Sequence, residues 1–359
     1  MDHPLRRRRL SEALAALDLD ALYVTRGTNA RYLSGFTGSN ARLVARRDGG
    51  HLLTDGRYEE QAAREAPDLP RAIYRSGEPP VFGAPTAGVR RLGFESAHLT
   101  YDGWVRLGRG AEDAGIELVP TDGVVEALRR VKEPAEIDRI RVAQEATDVA
   151  FEAVVLGGGL VEGMTERDLA WALERAMRDA GADGLAFDVI AAFGEQAAEP
   201  HHAPSDRTLR RGDVVKTDFG ALVDGYHADM TRTVAFGEPD PRLREIRDLV
   251  AASQAAGIAA VRPGATLGDV DRASRSVIED AGLGERFPHG LGHGVGLDIH
   301  EDPFLRPARD EVLLAGTVVT IEPGVYIPGL GGIRIEDMVE VTADGGREIP
   351  RSSKEFLLP

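Results

Sequence analysis

Cysteine is absent from the 359 residues, which excludes disulfides and thiolate metal sites and fits a cytoplasmic setting. Basic residues are in deficit: 43 Lys and Arg face 59 Asp and Glu, for a formal net charge of −16. Nucleic acid and anionic membrane surfaces call for basic patches, so neither is an expected partner. Long apolar runs are also missing, and no stretch reaches the roughly 20 residues of a membrane-spanning helix. The one basic run, Arg6 to Arg9, has no apolar segment of signal-peptide type behind it and reads as a solvated helix end. No Gly-x-Ser-x-Gly, phosphate loop or His-Glu-x-x-His string occurs, so the usual serine, nucleotide and zinc-helix chemistries have no motif here. What remains, 42% apolar and 28% charged residues, is an ordinary globular composition with length enough for two domains.

Residues 1–122 alternate helical patterns with short β-like runs: ALYVT (21–25), ARLVAR (41–46), HLLTD (51–55), RLGFE (91–95) and IELVP (116–120). That alternation predicts an α/β layer domain, with the Gly/Pro-rich GEPPVFGAPTAG (77–88) as a loop inside it. A charged helical stretch over 124–155, interrupted at Pro134, then opens a second domain covering 123–359. The second domain echoes itself. GMTERDLAWALERAMRDAG (163–181) and GATLGDVDRASRSVIEDAG (264–282) agree at Gly, Thr, Asp, Ala, Asp, Ala and Gly. Thr165 with Asp168, and Thr266 with Asp269, read as helix N-caps with an acid three residues on. Gly181 and Gly282 read as the glycines that end those helices. Two related helix-plus-hairpin halves are expected.

Each half carries a pair of acids in β-rich surroundings. Asp218 lies in DVVKTDFGAL and Asp229 in YHADMTRTVAF, on either side of Asp224-Gly225, a tight-hairpin signature. A two-residue turn pairs Thr231 with Asp218 and leaves Asp229 a diagonal step away, while a one-residue slip sets the two acids opposite each other. Either register brings the carboxylates within about 5–8 Å at Cβ. Glu322 in GTVVTIEPG and Glu336 in GIRIEDMVEV repeat the device around the turn-rich PGLGG. A single hairpin Asp is ordinarily solvated. Four acids flanked by Val, Ile, Phe and Thr point to interior strands, where unpaired carboxylates cost several kcal/mol. Six of nine histidines fall between residues 201 and 300, and His293 sits in GLGHGVG, where glycines allow close backbone approach. Oxygen donors with one imidazole suit Mn²⁺ or a similar divalent ion. In both hairpin registers His227 faces away from Asp218 and reads as structural; His202 stays open.

In order, DFGA, ADMTRT, GHGVGLDIHE, EPGVYIPG and GIRIED closely resemble the creatinase/aminopeptidase P/prolidase family of pita-bread metallopeptidases. RYLSGFTGS (31–39) and LLTDGRYEEQA (53–63) resemble that family's N-terminal domain, most like the small bacterial Xaa-Pro aminopeptidases. The resemblance implies an α/β N-terminal creatinase-like domain and an α+β pita-bread catalytic domain with an internal pseudo-two-fold repeat, in a homodimer. It implies two divalent ions, Mn²⁺ foremost with Co²⁺ or Zn²⁺ as alternatives. Asp229 and Glu336 would bridge them, Asp218 and Glu322 would complete one each, and His293 would bind one. A water activated there would attack the carbonyl before a proline. Glu322 would carry the proton to the leaving nitrogen. His201 and His289 would line the pocket, His300 would contact the scissile carbonyl, and Arg334 would hold a ligand carboxylate from behind.

Two departures bear on the pocket. Phe193 stands where the family commonly has Ser, and Gln196 where it has Asn. Four residues after His300, where the family's dipeptidases carry a carboxylate-binding arginine, this chain has Phe304, with Arg306 two further on. That favours an Xaa-Pro aminopeptidase acting on proline-containing peptides, with an Xaa-Pro dipeptidase as the alternative. An intact ligand set argues against metal-free creatinase-like hydrolysis and against a non-catalytic binding module on the same scaffold. The N-terminal domain disfavours a methionine aminopeptidase.

Overall fold

A computed structural model describes residues 1–75 and 79–357. Residues 77 and 78 of the expected 77–88 loop lie outside that range; the rest is loop around a short turn of helix at Ala84–Thr86. Two compact units divide the chain, Met1–Arg129 and Arg130–Pro359. The sequence-derived boundary near residue 123 precedes the short helix Val124–Arg129, which packs with the first unit. Tyr32 donates to Leu128 O at 3.2 Å and Arg129 to Asn29 Oδ1 at 2.7 Å, and these bonds explain the placement.

In the first unit a six-stranded mixed sheet contains β1 (Ala21–Val24), β2 (Arg42–Arg46), β3 (Gly49–Asp55), β4 (Arg71–Tyr74), β5 (Arg91–Glu95) and β6 (Glu117–Thr121), in the order β4-β3-β2-β1-β5-β6. The five expected runs form five of these strands. The sixth, β4, is a half-buried edge strand whose RAIY carries too little apolar pattern to stand out. The basic run corrects the sequence reading. Arg6 is buried on the helix His3–Ala16, with its guanidinium 4.1 Å from the Tyr32 ring and donating to Tyr32 O. Only Arg8 and Arg9 are exposed.

The second unit is built on four helices, Pro134–Phe151, Glu166–Asp179, Pro241–Ala260 and Leu267–Asp280. Pro134 is the first residue of its helix, where a missing N–H costs nothing. Thr165 and Thr266 cap as expected, each hydroxyl accepting from the N–H three residues on. Gly181 and Gly282 follow the helix ends with φ of 101° and 74°. Leu169, Leu173 and Met177 pack with Phe193 and Val215 in one core cluster. Leu267, Val270 and Ile278 pack with Leu291 and Val319 in another. The second cluster also takes in Ala192, Ala197, Val214 and Ala235 of the first half, so apolar packing as well as polar contact joins the two.

The first half supplies β7 (Gly184–Leu185), β8 (Ile190–Phe193), β9 (Val214–Phe219), β10 (Ala221–Val223), β11 (Tyr226–His227) and β12 (Met230–Ala235). Asp224 and Gly225 both take positive φ, and the two-residue turn sets Thr231 opposite Asp218. Of the two registers the sequence allowed, this is the first. The second half supplies β13 (Gly292–Gly294), β14 (Glu301–Leu305), β15 (Val318–Ile321), β16 (Gly324–Ile327), β17 (Gly331–Arg334), β18 (Asp337–Thr342) and β19 (Gly345–Glu348). Each expected hairpin is split in two: β15 pairs β18, and β16 pairs β17. The common register from Ile321↔Asp337 to Gly324↔Arg334 leaves Glu322 facing Glu336 at the break. Asp229 sits at the matching break between β11 and β12, against Gly220, where an added Cβ would lie 1.8 Å from Ala228 O. Only glycine permits that approach.

Arg232 of β12 ties the two hairpins together. Its guanidinium donates to Glu336 O at 2.6 Å, Thr231 O at 3.1 Å and Asp337 Oδ1 at 2.7 Å, all buried. Burial opposes the charge on Asp337, yet Arg232 and Lys354 hold its carboxyl below the usual range. Asp337→Ala strips a buried guanidinium of its counter-charge and is expected to cost about 3–5 kcal/mol. Urea denaturation at neutral pH measures it, and a loss under about 1 kcal/mol would show that Arg232 is satisfied by carbonyls alone.

Candidate metal centre

Asp218, Asp229, His293, Glu322 and Glu336 line one cavity. Suitable donor atoms of Asp229, His293 and Glu336 lie within 4.8 Å of one another. His293 Nε2 is 3.5 Å from both Asp229 Oδ2 and Glu322 Oε1. Its other nitrogen, Nδ1, lies 3.0 Å from Gly294 O. A carbonyl only accepts, so Nδ1 carries the hydrogen and Nε2 turns a lone pair toward the carboxylates.

That geometry is repulsive as it stands. Burial pushes the His293 imidazole down to about 3, so it does not protonate to meet its neighbours. Burial and the charges of Glu336, Asp218 and Glu322 hold Asp229 well above the usual carboxylate range. Burial and the facing acids raise Glu336 likewise, and burial pushes Glu322 up to about 8. Asp218 Oδ1 is buried without a hydrogen-bond partner. Converging acceptors, three of them held back from ionising, fit divalent cations held by oxygen with one imidazole nitrogen.

Behind the acids stands a hydrogen-bonded chain. Arg334 Nη2 donates to Asp218 Oδ2, and its Nε donates to Thr231 Oγ1 at 2.9 Å. Thr231 in turn donates to Glu336 Oε2 at 2.7 Å. Arg334 Nη1 donates to Tyr326 Oη at 2.9 Å, so the phenol's own hydrogen goes to His289 Nε2, also at 2.9 Å. His289 Nδ1 donates to Gly290 O at 2.8 Å. Both His289 nitrogens are therefore engaged; burial drives its pKa down to about 4, and the neutral ring is a fixed wall of the cavity. His201 and His300 are exposed at the cavity wall, with the His300 ring edge-on to His293 at 4.3 Å between centroids. His202, left open by the sequence, turns its Nε2 to the buried Glu166 at 2.8 Å and its Nδ1 to Glu199 at 2.7 Å. His227 bonds Gly296 O outside the cavity wall.

Residues 138–343 match metallopeptidase family M24, and residues 6–131 match the creatinase/prolidase N-terminal domain. The chain belongs to metallopeptidase family M24. An Xaa-Pro dipeptidase of Pyrococcus horikoshii is 34% identical over 358 residues, 98% of either chain. The structure of an Xaa-Pro dipeptidase from Bacillus anthracis superposes with a TM-score of 0.93 at 36% identity, covering 99% of this chain and 100% of that one. An X-Pro aminopeptidase structure from Thermotoga maritima gives a TM-score of 0.89 at 31% identity, covering 98% and 99%.

In this M24 chain the cavity encloses about 920 Å³, with Phe187, Val189, Ile190, Ile299 and Phe304 as its apolar walls. Three contributors escaped the sequence reading. Tyr326 lies in an apolar strand and Glu166 in the first turn of a helix, positions that carry no signal of their own. Lys216 carried a signal, a lysine inside the apolar VVKTD run, that was not used; it is fully buried and pushed down to about 6 by desolvation. The raised Glu322 pKa has a thermodynamic consequence for metal-depleted protein. The folded state keeps a proton that the unfolded chain gives up near 4.5, so stability falls as pH rises from about 4.5 through about 8. Melting of chelator-treated protein should show this decline, and Glu322→Gln should remove much of it. Parallel profiles for the two proteins would mean that Glu322 ionises freely.

Proposed function

We propose that this M24 metallopeptidase is an Xaa-Pro aminopeptidase with two divalent cations, Mn²⁺ foremost, held by Asp218, Asp229, His293, Glu322 and Glu336. The observation that carries it is the convergence of these buried acceptors on one cavity, with Asp218 Oδ1 left unpartnered. Asp229 and Glu336, the most buried of the acids, are assigned as shared ligands. When bound, the cations supply Lewis-acid polarisation of the scissile carbonyl and of the attacking water. Glu322 is the acid most open to the cavity, its side chain 18% exposed against 6% for Asp229, and is assigned to carry the proton to the leaving nitrogen. His300 and His201 offer ring nitrogens from the wall to the substrate carbonyls. His289 shapes the pocket, and Arg334 holds Asp218 in place. The same reading takes the enzyme as a cytoplasmic homodimer, with Met1–Arg129 as its N-terminal domain and Arg130–Pro359 as its catalytic domain.

A dipeptidase is the second reading, and one observation favours it. Arg306 lines the cavity with its guanidinium 4.9 Å from the Phe304 ring, and it makes no ion pair among the described residues. A free cation there suits the carboxylate of a two-residue substrate.

Hydrolysis of Xaa-Pro and Xaa-Pro-Yaa with added Mn²⁺, and of Xaa-Ala as control, decides between them. Cleavage of the tripeptide establishes the aminopeptidase, and cleavage of the dipeptide alone establishes the dipeptidase. Arg306→Ala should raise KM for a dipeptide roughly tenfold if the guanidinium binds its carboxylate, a loss of about 1.4 kcal/mol. Asp229→Ala should fold and lose activity by more than the roughly 10- to 100-fold cost of disturbing an outer partner of a ligand. A competent Asp229→Ala enzyme, checked by turnover and metal content, would refute the assigned site.

A further inference from the structure

The segment that delivers His201 to the cavity is held at its carbonyls by one buried side chain. Lys216 lies on β9 two residues before Asp218, on the same face of the strand, and has no exposed surface. Its Nζ donates to Ala197 O at 3.0 Å and to Glu199 O, and lies 3.4 Å from Pro200 O. It makes no ion pair among the described residues, and its Nζ stands over the Tyr326 ring, 5.3 Å from the centroid. The acceptors are the end of the short helical turn Gly194–Ala198 and the two residues before His201. A helix end leaves carbonyls without partners, and that of Ala197 is buried.

The opposite polarity of the same segment is met by Glu166. That carboxylate, also without exposed surface, accepts from Phe193 N at 2.8 Å, from Ser205 N at 2.9 Å and from Ser205 Oγ at 2.6 Å. The backbone from 193 to 205 thus runs between a buried acceptor that takes its N–H groups and a buried donor that takes its carbonyls. Pro200 O also accepts from Arg334 Nη1 at 3.2 Å, which joins the segment to the arginine on Asp218.

We propose that Lys216 is a positioning residue for substrate binding, fixing His201 against the metal centre by gathering the carbonyls of residues 197–200. The proposal rests on the assignment of His201 as a substrate-contacting group. A lysine that served stability alone would leave the kinetics of a His201 variant as sensitive to its loss as the wild type.

The test is a cycle of wild type, Lys216→Met, His201→Ala and the double variant, each loaded with Mn²⁺. It is read by kcat/KM on Xaa-Pro substrates and by amide hydrogen exchange of the chelator-treated proteins. Lys216→Met is expected to lower kcat/KM roughly 10- to 100-fold and to change it less than about twofold once His201 is gone. Amides of Ala198, Glu199, His201 and His202 should exchange at least tenfold faster (an order-of-magnitude expectation), while those of β9 keep their protection. Full multiplicative losses across the cycle, or unchanged exchange in that segment, would overturn the proposal. Lys216→Gln retains an N–H donor and should recover part of both losses; it takes the place of the methionine variant if that variant does not fold. Should wild type cleave no Xaa-Pro bond, the functional reading fails, while the exchange comparison still decides whether Lys216 orders this segment.

Discussion

The second unit is organised around a charge problem. Four carboxylates and an imidazole lone pair face one cavity, and the backbone presents no N–H groups to quiet them. Solvation by water is curtailed by burial, and protonation is the apoprotein's recourse, as the raised Asp229, Glu322 and Glu336 show. Cations are the alternative, and the chain supplies one from behind in Arg334. The front of the cluster is left for divalent ions. Bound cations would displace those protons and relieve a cost already present in the fold.

The repeat explains how such a cluster can be assembled. Each half has its own capped helix and a hairpin carrying two acids, and one apolar cluster draws on both halves beside a second cluster confined to the first. Asp229, Glu322 and Glu336 occupy breaks in the strand ladders, where a residue is freed from pairing and aimed sideways into the cavity. The halves are then joined by polar contacts directly behind the ligands: Arg232 to Asp337, Thr231 to Glu336 and Arg334 to Asp218. These bonds set the ligand geometry and seal the seam at once. Loss of any one is felt in both.

The wall of the cavity follows a different logic. His201 is held by what happens to the backbone around it, with carbonyls gathered by Lys216 and N–H groups by Glu166. His289 has a similarly indirect part: both of its nitrogens are committed, so it supplies shape to the cavity wall.

Much of this was legible in the linear chain. The paired acids at Asp224-Gly225 and PGLGG, the capped helices beginning at Thr165 and Thr266, and the glycines around His293 carry local rules: turn chemistry, capping and strand alternation. Those rules act over a few residues, so they survive without knowledge of the rest. Hairpin register was narrowed by sequence to two choices, and the turn's positive φ at Asp224 and Gly225 selected one. The splitting of each hairpin at its acid was not legible, since it depends on the strand leaving one neighbour for another. Nor were the burial of Arg6 against Tyr32 and the duties of Lys216, Glu166 and Tyr326. Each joins positions from 8 to 39 residues apart through a hydrogen bond or ring contact. The sequence by itself determined which side chains are fit to bind metal and which turns present them. Only the tertiary structure decided which buried donors hold those groups still, because a polar atom's partner is set by what surrounds it once water has been excluded.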